Sequence, residues 1–135
     1  MRLFFFLLLL SLFIFSCGRN KNVSSKEAKN TAQKAVIEKG RVLFEREDCS
    51  GCHAERDAII GPSFRQLAGE YAATDANISH LANMAIIGVK PEQGIWGSRE
   101  MTPHPHLKQE DAEAIIRYML SFPADPKKPF LHNTK

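Results

Sequence analysis

Apolar positions in this chain form one solid block and then a series of spaced sets. Residues 3–15 are Phe, Leu and Ile, interrupted only by Ser11, and residues 18–31 are polar, rich in Lys, Asn and Ser, with no apolar period. Beyond them Ala35, Val36, Gly40, Leu43 and Phe44 recur at the spacing of one helix face, which predicts a helix ending near Asp48. Pro62 is placed to start a short second helix over 63–71. Thr74 and Asp75 offer N-cap groups to a third, with an apolar stripe of Ile78, Leu81, Ala82, Ala85 and Ile86, and Gly88 stops it. Residues 88–107 hold three glycines and three prolines, so an irregular strap is expected there. A last helix over about 109–122 buries Ala112, Ile115, Ile116, Met119 and Leu120, with Pro123 beyond its end. Lys108 stands where Ser or Asp would cap it better. No alternating run is long enough for a sheet, so the expected fold class is all-α.

The solid block at the start changes the picture from fold to address. It is too short to cross a hydrocarbon core as a helix, but it has the length of a signal-peptide apolar region, and Arg2 precedes it. It ends in Ile14-Phe15-Ser16-Cys17, which resembles the lipobox of bacterial lipoproteins: an aliphatic residue, a small residue, then cysteine. That resemblance implies cleavage after residue 16 and lipid on Cys17, with more than one acyl chain giving stable membrane anchoring. A plain signal peptide with an incidental cysteine, or an uncleaved short anchor, is the alternative. The expected organisation is a signal peptide over 1–16, a lipidated Cys17 and flexible linker over 17–31, a folded domain over 32–123 and a loose tail over 124–135.

Charge adds an exclusion. The 135-residue chain has a formal net charge of +3, but residues 34–122 carry ten Lys/Arg against thirteen Asp/Glu and are net −3. The basic excess sits at the two ends, and no basic stripe with interleaved aromatics tracks through the domain, so nucleic acid is not an expected partner.

The candidate chemistry is concentrated in Cys49-Ser50-Gly51-Cys52-His53. Two thiols three residues apart reach the same side of the chain, where they can form thioethers with the two vinyl groups of one haem. The histidine that follows is carried under the iron, which makes this the c-type haem attachment pattern. A zinc site would need four ligands, and Cys17 is the only other cysteine. A thioredoxin-like redox pair would need a βαβ setting, and a plain disulfide would leave His53 without a role.

The remaining motifs bring a family into view. Cys-x-x-Cys-His, then Gly61-Pro62-Ser63-Phe64, Gly94-Ile95-Trp96-Gly97, Met101-Thr102-Pro103 and a terminal helix with Arg117-Tyr118 together resemble class I cytochromes c. The likeness is to the small bacterial periplasmic monohaem carriers, over roughly residues 34–122. It implies about four helices wrapped around one covalently bound haem c. It also implies a crossing of first and last helices at Gly40, Phe44 and Tyr118. Pro62 would offer its carbonyl to the second ring nitrogen of the ligating His53, and Trp96 would donate to a haem propionate.

The sixth iron ligand has several candidates. Met84 and Met119 lie in helical, mainly apolar stretches, where methionine is usually core filler. Met101 lies in the Pro-rich strap, so His53 with Met101 is the expected pair; His104 and His106 nearby leave a bis-His site open, and His80 and His132 are expected at the surface. A thioether ligand raises the reduction potential. With both axial positions filled, the expected role is a membrane-tethered one-electron carrier with no small-molecule substrate and no catalytic residues. It would meet redox donors and acceptors transiently, facing the periplasm or cell exterior. The alternatives are a haem-bearing subunit of a larger oxidoreductase, or a peroxidase or gas sensor if the sixth position is open.

Overall fold

The computed structural model describes residues 21–93 and 97–125. The signal segment over 1–16, Cys17, Trp96, His132 and the tail from 126 onward lie outside the described residues. Those residues form α1 (Lys21–Arg46), α2 (Phe64–Glu70), α3 (Asp75–Ile87) and α4 (Gln109–Met119), with one 3-10 turn at Cys49–Gly51. There is no strand among them, only two isolated bridges, so the all-α expectation holds.

The chain divides after Thr31 into two units. In the first, residues 21–31 are helical, which corrects the flexible linker expected there. From Ser25 to Asn30 every side chain is exposed, and the Thr31 hydroxyl donates to the Glu27 carbonyl one turn back at 2.9 Å. A solvated helix needs no apolar face, so apolar periodicity cannot reveal it. Its Lys, Glu and Ala residues have favourable helix propensity of their own.

In the second unit, α1 buries Gly40, Leu43 and Phe44, while Ala35 and Val36 are exposed, so the packed face begins later than its apolar pattern predicts. A Cβ on Gly40 would run into the Ala114 carbonyl and touch the Tyr118 Cβ, so α1 and α4 approach backbone to backbone here. Aromatic rings fill the space beside the crossing. Phe44 meets Phe64 edge-on at 5.1 Å and Tyr118 at 5.7 Å, and Phe122 closes on Phe64 at 5.2 Å and Tyr118 at 5.4 Å. Such ring pairs add roughly 0.5–1.5 kcal/mol each beyond the area they bury. A Lys39–Asp111 ion pair at 2.7 Å lies on the same two helices.

The other helix ends follow from local chemistry. Ser63, not Pro62, caps α2: its hydroxyl accepts from the Gln66 N–H and the Gln66 amide accepts from the Ser63 N–H, a complete capping box. Thr74 caps α3 as expected, and Gly88 ends it at φ 78°. Lys108 makes no cap bond, but Glu110 and Asp111 in the first turn of α4 complement the helix dipole. α4 stops at Met119, and a turn then folds Phe122 into the aromatic cluster. α4 buries Ala112, Ala114, Ile115, Ile116 and Met119, and packs against α3 and α2.

Candidate functional site

Asp48 ends the α1 segment by adopting φ 60°, and the chain turns at once into Cys49–Gly51. The His53 N–H and the Cys52 N–H both bond to the Cys49 carbonyl, at 3.0 and 3.1 Å, which holds the five-residue motif in one tight turn. The next loop folds back on it. The Gly61 N–H reaches the Cys52 carbonyl at 2.9 Å, and the Phe64 N–H reaches the Ala54 carbonyl at 3.0 Å. Arg65 pairs with Glu55 at 2.7 Å across the same fold.

The product of these contacts is a fixed imidazole. His53 is 9% exposed, and its Nδ1–H donates to the Pro62 carbonyl at 2.8 Å. A carbonyl only accepts, so Nδ1 carries the proton and Nε2 keeps a bare lone pair. Burial lowers the His53 pKa, the Pro62 bond opposes that shift, and a charge on His104 would lower it further. The ring is therefore held neutral, the form a metal requires. The flat face of the ring lies against Gly61, where a Cβ would collide with it.

Cys49 and Cys52 are not joined to each other in a disulfide. Burial pushes the Cys49 thiol up to about 11, so it is not a reactive thiolate at neutral pH. Among the described residues no group of three or more His, Cys, Asp or Glu side chains gathers as a metal cluster.

Cys49, Cys52, His53, Pro62 and Met101 all line one cavity of about 1030 Å³, walled by apolar residues such as Leu67, Leu81 and Ile115. Met84 and Met119 reach it as well, although Met119 is buried in the core as its position in α4 predicts. The size is at the upper end of small-molecule sites, which run to ~1,000 Å³. Two thiols, a neutral imidazole with a free Nε2, a thioether and apolar walls fit a flat, covalently attached macrocycle with a central iron.

Across the cavity, the described residues of the strap over 88–107 are held by main-chain and side-chain bonds. Met101 exchanges both main-chain bonds with Val89, at 2.8 and 3.0 Å, and its side chain is half-buried. Gly88 makes this possible, since a Cβ there would lie 2.7 Å from the Met101 carbonyl. The Arg99 guanidinium donates to the Ile60 carbonyl at 2.9 Å and so ties the strap to the His53 loop. His106 Nε2 donates to Glu47 at 2.8 Å, which joins the strap to the end of α1. His104 lines the cavity and His80 is exposed.

Arg99 and the Glu47–His106 pair were not legible from the sequence, because each acts on a partner distant in the chain. Gly61 stood in the Gly-Pro motif, but its packing against the His53 ring shows only in the fold.

Comparison with known proteins gives the same answer along most of this span. Residues 37–123 match the Cytochrome c family. Cytochrome c-551 of Stutzerimonas stutzeri is 30% identical over 90 residues, which are 66% of this chain and 82% of that protein. Cytochrome c-552 of Nitrosomonas europaea is 28% identical over 79 residues, 58% of this chain and 74% of that one. The crystal structure of wild-type Nitrosomonas europaea cytochrome c552 superposes with a TM-score of 0.54 at 27% identity, covering 61% of this chain and 98% of its own. With a turn, a cavity and a fold that all accommodate haem c, this chain belongs to the cytochrome c family, electron carriers rather than enzymes, each holding one covalent haem c.

Proposed function

We propose that this protein is an exported, membrane-tethered monohaem cytochrome c that carries single electrons in a respiratory or other redox chain. Cys49 and Cys52 would hold the haem through thioethers, His53 and Met101 would ligate its iron, and Cys17 would carry the lipid. The observation that carries the reading is the His53 ring: its Nδ1–H is committed to Pro62 at 2.8 Å, which leaves Nε2 for the cavity that the two thiols and Met101 share. When bound, haem supplies a one-electron ferric–ferrous couple.

The protein's own residues set the conditions for that couple. Pro62 fixes the tautomer and orientation of His53, a device that also raises the basicity of a ligating imidazole. Apolar residues of α3 and α4 wall the cavity, and Met101 would offer the iron a neutral, soft donor that favours the reduced state. Trp96, by its likeness to the family's indole, would donate to a haem propionate. A closed iron admits neither oxygen nor peroxide, so partners are redox proteins met in small, weak contacts. No helix among the described residues is long and apolar enough to cross a membrane; the proposed tether is the lipid on Cys17.

The test is the visible spectrum of the haem-loaded protein, oxidised and reduced, with and without carbon monoxide. Sharp reduced c-type bands, a weak sulfur-to-iron band in the red when oxidised, and no response to carbon monoxide are expected. A high-spin spectrum that shifts with carbon monoxide would overturn the carrier assignment. For the tether, Cys17→Ala should move the protein out of the membrane fraction with its haem intact; unchanged fractionation would reject lipidation.

A further inference from the structure

A second histidine faces the cavity in the manner of the first. His104 lines the same space as His53, on the strap three residues beyond Met101. Its ring Nδ1 lies 3.3 Å from the Ala85 carbonyl at the end of α3. That carbonyl can only accept, so the proton of the tautomer it selects sits on Nδ1 and Nε2 is the nitrogen with the lone pair, as in His53. The two rings are near enough that a charge on His104 would be felt at His53.

The backbone at His104 is anchored independently of Met101. The His104 N–H bonds to the Ala85 and Ile86 carbonyls, both at 3.1 Å, whereas Met101 is paired with Val89. Withdrawal of the Met101 side chain therefore does not remove the support of His104. The bond from its ring is long, 3.3 Å against 2.8 Å for His53, so the imidazole is oriented but readily released. His106, whose ring centre stands 6.1 Å away, is not equivalent, because its Nε2 is already bonded to Glu47 at 2.8 Å.

We infer that His104 is a reserve iron ligand, which takes the sixth position through Nε2 when the Met101 sulfur is lost from it. One neutral donor replaces another: the iron–sulfur bond breaks, an iron–nitrogen bond forms, and no proton or electron is transferred. The exchange keeps the iron closed and lowers the reduction potential, since a thioether supports a higher potential than a second imidazole. The proposal builds on the assignment of Met101 as the resident ligand.

The experiment uses the full haem-loaded chain and three spectra. The wild-type oxidised spectrum reports the resident ligand: a red sulfur band places Met101 on the iron, and its absence overturns that assignment by itself. In Met101→Ala the red band should vanish while the spectrum stays low-spin and unresponsive to carbon monoxide, with a lowered midpoint potential. In Met101→Ala combined with His104→Gln it should become high-spin and bind carbon monoxide at once. Met101→Leu, closer in size, replaces the alanine variant if that fails to mature. A high-spin single variant, or a double variant that stays low-spin, would overturn the role of His104.

Discussion

Residues 53–62 and residues 88–107 face each other across one cavity, and they hold their candidate ligands by different means. On the first side, main-chain bonds from Gly61 to Cys52 and from Phe64 to Ala54 close the loop, and Pro62 fixes the buried His53 ring. On the second, Met101 rests on a two-bond bridge to Val89 and a few long-range ties through Arg99, His104 and His106. Several independent contacts determine His53, so losing one leaves the ring in place. The described part of the strap is the more solvent-exposed of the two, and local opening is cheapest in such segments. One ligand is thus built as a permanent fixture, the other as an exchangeable one.

The largest effect is expected where the fixed side has no slack. Gly61→Val would place a branched side chain in the space occupied by the His53 ring. Overpacking against a buried ring costs about 3 kcal/mol, and displacing the ring also breaks its bond to Pro62. The haem-loaded variant should be recovered poorly and melt well below wild type in a thermal scan. A wild-type melting curve would mean that the loop yields, and that the two sides do not differ as argued.

A smaller effect is expected on the strap. Gly88 has φ 78°, and a Cβ would lie 2.7 Å from the Met101 carbonyl. Gly88→Ala therefore strains the backbone and pushes at the bridge, at about 2 kcal/mol. The sharper expectation concerns where the damage falls. The red sulfur band should weaken in the oxidised spectrum while covalent haem content stays at the wild-type level. Loss of haem in place of loss of the band would show that the strap supports the whole site and not merely its sixth position.

The same contrast explains what could be read from the sequence. Cys49, Cys52 and His53 were legible because their chemistry requires them to be neighbours in the chain. The stripes of α3 and α4 were legible because Ile78, Leu81, Ala112, Ile115 and Ile116 repeat at helix spacing and are buried. The start of α1 was not, because an exposed helix leaves no apolar signature, and the first turn of α2 was assigned to Pro62 although Ser63 and Gln66 spelled a capping box. The partner of the His104 ring lies nineteen residues back, and that of His106 lies fifty-nine residues back. No local pattern encodes such pairs; only the folded chain brings them together. Cavity lining does not separate Met101 from Met84 and Met119 either, since all three reach the same space. The strap environment, legible from its prolines and glycines, is what sets Met101 apart.

The smallest effect is a pH dependence on the strap side. The His106 bond, followed by the Arg46 guanidinium, holds the Glu47 carboxyl below the usual carboxylate range. A carboxylate whose folded pKa is depressed contributes stability that is complete above its unfolded pKa. That contribution disappears as pH falls through the folded value. Glu47→Gln should therefore lower the melting temperature at neutral pH by a few degrees at most, as expected for a pair with one exposed partner. The gap between variant and wild type should begin to close below about pH 4.3, where an unfolded Glu protonates, and should vanish in stronger acid. Glu38, Glu55 and Asp111 are depressed by their own basic partners, but they titrate alike in both proteins and cancel from the difference. A gap that stays constant into acid would show that the Glu47–His106 contact does not tie the strap to α1. Arg99 and the Val89 bridge would then be its principal restraints.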